Sequence, residues 1–141
     1  MESYMKLAIE KAKEGKTPFG AVIVRKGEIL AAVYNTVREA SDPTAHAEVN
    51  AIRRACQSSG SPRLKEAVLY TTCEPCPMCA AAAVFAGIDQ IVYGADIPTI
   101  ACYLPQIQLR AEEVLRHSEH KVEIKQVEEV DAYESLLQQF A

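Results

Sequence analysis

The stretch that most restricts how this chain can fold is CEPCPMC at residues 73–79, which follows the apolar run AVLYTT at residues 67–72. Proline is favoured at the first position of an α-helix, so Pro77 predicts that a helix begins there with Cys76 as its N-cap. Cys79 then lies one turn further along, on the same side of the helix. Because a helix N-terminus is partially positive, it favours the thiolate that a metal ion needs. The stretch therefore predicts a strand, a tight turn and a helix that presents two thiolates.

A histidine and a glutamate in DPTAHAEVNAIRRACQSSG, residues 42–60, supply the other half of a candidate site. Thr44 is suited to cap a helix running to about Cys56, which places His46 in its first turn and brings two helix N-termini to one ion. One imidazole and two thiolates leave the fourth position of a zinc ion open for a water, whose pKa zinc lowers to about 7. Glu48 is then the candidate proton carrier. Residues two apart do not share a helix face, so His46 and Glu48 converge only if the helix is just beginning at His46.

Cys73 is the third cysteine of the cluster. Glu74 precedes a proline and is held extended, so the chain is expected to carry Cys73 away from Cys76 and Cys79 and to leave it packed at the strand end. The alternative is a closed structural site, in which all three thiolates and His46 surround zinc and no position is left for chemistry.

The order of apolar runs predicts the fold. Residues 20–25 and 28–34 form a hairpin around Lys26-Gly27, and a strand at 67–72, a helix at 77–86 and a strand at 90–94 form a βαβ crossover. Further patterns predict a helix before Gly15, a helix at 106–117, a strand at 121–127 and a helix at 129–140. We therefore expect a single α/β domain over residues 1–141, a three-layer α/β/α sandwich around a mixed five-stranded sheet.

Composition narrows the compartment and the partners. Asp and Glu number 19 against 15 Lys and Arg, a net charge of −4, whereas nucleic-acid binders usually present a basic surface. No apolar run reaches the roughly 18 residues of a membrane span. The charged start MESYMKLAIEKAKEGK predicts an amphipathic helix and no signal peptide. The five cysteines are therefore expected to be reduced thiols of a cytoplasmic protein that does not bind membranes.

His46-Ala47-Glu48 followed by Pro75-Cys76-Pro77-Met78-Cys79 is the H-x-E…P-C-x-x-C signature of zinc nucleobase deaminases. The chain resembles the cytidine deaminase superfamily over essentially its whole length, and most of all the bacterial guanine deaminases and related purine nucleoside deaminases. The matching stretches are PFGAVIV at residues 18–24, DPTAHAE at residues 42–48 and CEPCPMC at residues 73–79.

The resemblance implies a role for each matching residue. It implies one Zn²⁺ per chain, with a bound water or hydroxide, held by His46, Cys76 and Cys79, while Glu48 shuttles protons to the ring nitrogen and the leaving ammonia. Asn35 matches the asparagine that contacts the purine or its ribose. Phe19 falls in the segment that lines the pocket. Members of the superfamily are typically homodimers or larger, so a homodimer is expected.

The resemblance leaves the substrate open. Guanine deaminases carry a Phe-Asp-Asp segment after the fourth strand, and here that region reads GADIPTIACYLPQIQ, where Asp96 is the sole carboxylate and the candidate substrate contact. Bacterial tRNA adenosine deaminases share DPTAHAE and EPC-x-MC, but their Thr-Gly-Ala-Ala-Gly-Ser loop is missing. The sequence predicts hydrolytic conversion of guanine to xanthine with release of ammonia. The alternatives are adenosine to inosine in tRNA, a cytosine or cytidine deaminase, and a non-catalytic zinc-binding module.

Overall fold

A computed structural model describes residues 2–141 and contains one five-stranded sheet in that range. The strands are β1 (Gly20–Arg25), β2 (Glu28–Tyr34), β3 (Ala67–Cys73), β4 (Gln90–Ala95) and β5 (Glu123–Gln126). Their order across the sheet is β2-β1-β3-β4-β5. β1 is antiparallel to β2 and β3, whereas β4 is parallel to β3 and β5. The expected mixed five-stranded sheet is confirmed.

Helices cover both faces of this sheet. They are α1 (Glu2–Glu14), α2 (Val37–Ala40), α3 (Ala47–Ser59), α4 (Pro77–Ala86), α5 (Ile97–Ile100), α6 (Ala111–Arg116) and α7 (Asp131–Phe140). Successive residues of a strand face opposite sides, and in β1 Ile23 packs with α3, α4 and α6 while Val22 packs with α1 and α7. The three-layer α/β/α sandwich is therefore confirmed. Across residues 2–141, no helix has the length and apolar character needed to cross a bilayer.

The hairpin between β1 and β2 turns at the two residues that the sequence predicts. Lys26 and Gly27 both have positive φ, at 51° and 79°, as a two-residue turn between twisted antiparallel strands requires. Both strands and α4 have the bounds that the sequence predicts.

Other predicted boundaries are wrong. Thr44 does not cap α3, because its backbone N–H and its hydroxyl both bond to Asp42 Oδ1, at 2.8 Å and 2.7 Å. His46 is the N-cap, and the helix continues to Ser59, where Gly60 closes it in the left-handed conformation. The helix predicted at 106–117 spans only Ala111–Arg116, and α2 and α5 were not predicted. Each of these two short helices has only four residues, too few for a periodic apolar pattern.

Several strands begin or end at one edge of the sheet. β3 and β4 are parallel and both end there, at Cys73 and Ala95. The antiparallel partner β1 begins at the same edge, since Ala21 pairs with Thr71 near the end of β3. β2 ends there as well, because Tyr34 pairs with Gly20, the first residue of β1. Phe19, just before β1, and Asn35, just after β2, are therefore brought to the carboxyl end of β3.

Candidate active site

His46, Cys76 and Cys79 converge at this edge. His46 is the N-cap of α3 and Cys76 the N-cap of α4, while Cys79 lies in the first turn of α4. The candidate ligand atoms of these three residues all lie within 4.8 Å of one another. Within residues 2–141 no other His, Cys, Asp or Glu joins this group, so Cys73 lies outside it. Its thiol instead faces the carbonyl oxygen of Pro18, at 3.9 Å.

The spacing of the three atoms fits a zinc ion. His46 Nδ1 lies 3.6 Å from Cys76 Sγ and 3.5 Å from Cys79 Sγ. Tetrahedral zinc with ordinary Zn–S and Zn–N bond lengths separates a sulfur and a nitrogen ligand by about 3.6 Å. One imidazole and two thiolates leave one tetrahedral position to a molecule from solution. His46, Cys76 and Cys79 could therefore hold a metal ion in the open arrangement that catalysis requires.

The protonation of the two thiols is unequal in the metal-free protein. The Cys79 thiol donates to the Cys76 sulfur, and together with His46 it lowers the pKa of Cys76 to about 4. The same bond to Cys76, followed by burial, raises the pKa of Cys79. The contact with Cys76 raises the pKa of His46 above its ordinary value. The contacts within the cluster therefore favour the thiolate at Cys76 over that at Cys79, and both sulfurs must be thiolates to hold a metal ion.

Glu48 lies beside the cluster with its side chain buried, and the residue is only 5% exposed. Burial, followed by repulsion from the Cys76 thiolate, raises the pKa of Glu48 from 4.5 to about 7. Because His46 is the N-cap with extended backbone angles, the helix geometry begins after it, so His46 and Glu48 reach the same cavity. A buried carboxyl group that titrates near neutral pH is suited to accept and return protons.

The cavity beside these residues has a volume of about 250 Å³. Phe19 and Asn35 line it together with His46 and Glu48. Asn35 is held in place by its amide oxygen, which accepts a hydrogen bond from the backbone N–H of Val37 at 3.0 Å. Two of the predicted substrate-binding residues thus lie at the wall of the cavity.

Asp96 does not line this cavity. Its carboxylate accepts a hydrogen bond from the backbone N–H of Thr99 at 3.0 Å and caps α5. Burial raises the pKa of Asp96, but the bonds from Thr99, the charge of Arg110 and a bond with Gln126 together hold it below its ordinary value. In this structure Asp96 shapes the chain that follows β4, and we assign it no contact with substrate.

Comparison with known proteins identifies the arrangement. Residues 1–95 match the family model described as the cytidine and deoxycytidylate deaminase zinc-binding region. The chain belongs to the cytidine and deoxycytidylate deaminase family. His46, Cys76 and Cys79 all fall inside the matched residues, so this deaminase-family domain carries a zinc-binding region and a cluster of ligands that fits zinc.

The relatives of this deaminase-family chain include deaminases that act on different substrates. It is 47% identical over 100 residues to the guanine deaminase of Bacillus subtilis, a match that covers 67% of this chain and 64% of that protein. It is 42% identical over 120 residues to the tRNA-specific adenosine deaminase of the same organism, which covers 82% of this chain and 74% of that protein. A solved tRNA:A34 deaminase superposes with a TM-score of 0.77 at 35% identity, covering 89% of this chain and 98% of that one.

Sequence reasoning missed several residues of this deaminase-family site. Ile100, Leu104, Pro105 and Gln106 line the cavity from the chain after β4, and Glu74 lines it from below. The pattern predicts a helix from residue 106, whereas α6 begins only at Ala111, so the chain between α5 and α6 was not expected to line the cavity. Glu74 offered one signal, a carboxylate within an otherwise buried cysteine cluster, where it would need partners for its charge.

Proposed function

We propose that this protein is a zinc-dependent hydrolase that removes the exocyclic amine of a nucleobase, with guanine, converted to xanthine and ammonia, as the first substrate to test. The observation that carries this proposal is a buried carboxyl group, Glu48, in the same cavity as a His-Cys-Cys cluster that leaves a metal ion one open position. A purely structural zinc module has no need of that carboxyl group.

The residues divide the reaction between them. Zinc held by His46, Cys76 and Cys79 would supply the Lewis acid that activates a water at neutral pH. Glu48 accepts a proton from the attacking water and passes it to the ring nitrogen next to the carbon that carries the amine. Glu48 then moves a second proton from the added hydroxyl to the amine nitrogen, which leaves as ammonia. Phe19 and Asn35 hold the ring so that this carbon faces the metal.

A free purine base is supported by the size and cover of the cavity. Its volume is about 250 Å³, and Leu104, Pro105 and Gln106 form part of its wall. The net charge of −4 withholds the favourable phosphate contacts on which tRNA binding normally depends. A small uncharged base suits an enclosed cavity of this volume and needs no phosphate contacts.

Adenosine in tRNA is the second candidate, favoured by a specific observation. The match to the tRNA:A34 deaminase spans 98% of that chain, so the two folds correspond almost from end to end. Deamination of cytosine or cytidine uses the same residues and is the third candidate.

The test is ammonia release by the zinc-loaded protein from guanine, guanosine, cytosine, cytidine, adenosine and a tRNA anticodon stem. We expect turnover of guanine and a loss of about 10²–10⁴-fold in Glu48→Gln, whose amide cannot carry the proton. Zinc content, measured by elemental analysis, should be the same in both proteins. If the protein turns over the tRNA alone, its substrate is adenosine in tRNA and not guanine. If it turns over none of these compounds, the result favours the non-catalytic zinc-binding module.

We also propose a cytoplasmic homodimer. All five cysteines are free, as expected of a reducing compartment. An apolar patch on α3 and α4 supports self-association, because Phe85 is 76% exposed at its centre and exposed apolar patches of this kind mark interaction surfaces. The patch is lined by one charged residue, Arg53, and by the apolar residues Val49, Ile52, Cys56, Pro62, Ala82, Phe85 and Ala86.

A further inference from the structure

The chain between β4 and α6 forms one wall of the cavity. Ile100, Leu104, Pro105 and Gln106 all belong to it. Residues 97–110, which we name the wall segment, lack the Phe-Asp-Asp sequence that guanine deaminases carry after the fourth strand. A substrate in the cavity would therefore meet a different set of residues on this wall.

A single buried carboxylate ties both ends of the wall segment. Glu74 Oε1 accepts a hydrogen bond from the backbone N–H of Ile97 at 2.8 Å, and Oε2 accepts one from the backbone N–H of Ala111 at 2.8 Å. Arg110 Nε donates to both oxygens, at 2.9 Å and 3.0 Å. The Glu74 side chain is only 2% exposed, and such a charge is stable in a fold only when it is fully paired. The two ends of the segment are therefore fixed against the turn between β3 and α4, which leads to Cys76 and Cys79.

The middle of the wall segment is tied to α7. Tyr103 donates a hydrogen bond from its hydroxyl to Glu134 Oε2 at 2.8 Å. The same hydroxyl accepts one from Gln138 Nε2 at 3.3 Å. Ile100 is buried in the core between the sheet and α1 and α7. These contacts hold the backbone on either side of Gln106 and leave the short stretch 105–109 without an anchor of that kind.

Gln106 has the chemistry to contact a base. Its half-buried side chain reaches the cavity, and its Nε2 bonds to the carbonyl oxygen of its neighbour Pro105, at 2.8 Å. A carboxamide offers both donors and an acceptor, the combination found on the edges of amino-substituted bases. A bond within the same short segment can be exchanged for one to a ligand without disturbing the fold.

We propose that the wall segment selects the base, with Gln106 as its polar contact to the substrate and Glu74 as the residue that positions it. This inference rests on the proposed deaminase function and names the part of that site which sets the substrate. A site built to bond a polar edge discriminates strongly against bases that lack it, because its own polar group is then left unpaired.

The first test compares Gln106→Ala with Gln108→Ala, a matched control on the same segment whose side chain is exposed. For the preferred base we expect Gln106→Ala to lower kcat/KM about tenfold or more, the equivalent of one lost hydrogen bond, chiefly through KM. The preference between bases in the panel should narrow, with zinc content unchanged. Gln108→Ala should match the wild type.

The second test replaces Glu74 by Gln, which keeps the shape but loses the charge that pairs with Arg110. We expect KM to rise about tenfold with zinc content preserved and kcat reduced less than KM rises. Glu113→Gln, which removes an exposed carboxylate paired with Arg116, is the control and should leave both constants unchanged.

Separate results overturn the inference and the function beneath it. If wild-type protein turns over a base and Gln106→Ala keeps the same KM and the same order of preference, the selecting role is wrong while the deaminase function stands. If Glu74→Gln lowers only stability or zinc content, Glu74 is a structural residue. If the wild type turns over no base in the panel, both the proposed function and this inference are wrong.

Discussion

At the scale of single residues, the burial of Glu48 lowers the stability of the fold but supports the candidate role of Glu48 as a proton carrier. The fold buries a group that would be charged in water, which costs free energy, and a proton carrier has to be shielded in this way for its pKa to rise towards neutral pH. No described residue compensates with an ion pair of the kind that Arg110 gives Glu74. The site therefore reduces the stability of the metal-free protein.

This cost should depend on pH in the metal-free protein. The pKa of Glu48 rises from 4.5 to about 7, so between these values the folded protein keeps a proton that the unfolded chain releases. The contribution of Glu48 to stability therefore falls as the pH rises through this window, in total by roughly 3 kcal/mol. Glu48→Gln carries no such group, so its Tm should exceed that of wild type by a margin that grows from pH 4.5 to pH 7 and then levels off.

Calorimetry of chelator-treated proteins across that range measures the margin. Glu113→Gln is the control, because the bond from Arg116 lowers the pKa of Glu113 and its removal should cost a little stability at neutral pH. A constant difference in Tm between Glu48→Gln and wild type at all pH values would contradict the argument.

At the scale of elements, two helix N-termini and the start of β1 create the site together. Thr72, at the end of β3, donates its hydroxyl to the carbonyl oxygen of Pro18 at 2.7 Å and accepts the backbone N–H of Gly20 at 3.0 Å. This pair of bonds holds Phe19 at the cavity. The placement of an aromatic wall residue thus depends on a hydroxyl in the neighbouring strand.

Thr72→Val should show how much that hydroxyl contributes. The change keeps the shape of a fully buried side chain but leaves the N–H of Gly20 unpaired and the carbonyl oxygen of Pro18 with only the long contact from the Cys73 thiol, so we expect a loss of about 1–3 kcal/mol in the free energy of unfolding. Chemical denaturation measures it.

Thr44→Val is the matched control for this change. It also removes a hydroxyl hydrogen bond of 2.7 Å, but the bond to Asp42 is exposed, so water can replace the lost partner and the cost should be well below 1 kcal/mol. Equal losses for the two variants would show that burial does not decide the value of the bond at Thr72.

The sequence predicted elements where one residue decided them locally. Lys26-Gly27 located the hairpin and Pro77 located the start of α4, because each acts through its own backbone geometry. The prediction that Thr44 caps α3 is wrong, because a threonine can also bond within a turn, and Thr44 bonds to Asp42 in this way. The wall segment could not be predicted, because its position depends on Glu74, a partner 23 residues before Ile97.

At the scale of the whole molecule, the patch around Phe85 would link the candidate site to the homodimer that we propose. The patch lies on α3 and α4, the two helices whose first residues supply His46 and Cys76. A partner bound at this patch would support both helices at once. Assembly would then stabilise the relative position of the metal ligands.

Phe85→Asp should abolish the homodimer, because a charge would have to be buried without a partner. Sedimentation velocity should show twice the chain mass for wild type and a single chain for the variant. Ile29→Asp is the control, since Ile29 is a large exposed apolar residue on β2, outside the patch, and it should leave the dimer intact. A monomeric wild type would contradict the assembly we propose.

The parallel pairing of β3 and β4 has a consequence for engineering this molecule. β3 and β4 end at the same edge of the sheet, and each is followed by its own loop there. The loop after β3 leads to Cys76 and Cys79, and the loop after β4 carries residues that enclose the cavity. Mutations confined to the second loop leave the sulfur donors untouched. A randomised library over residues 104–109 would therefore explore new amino-heterocycles while every clone retained its capacity to load metal.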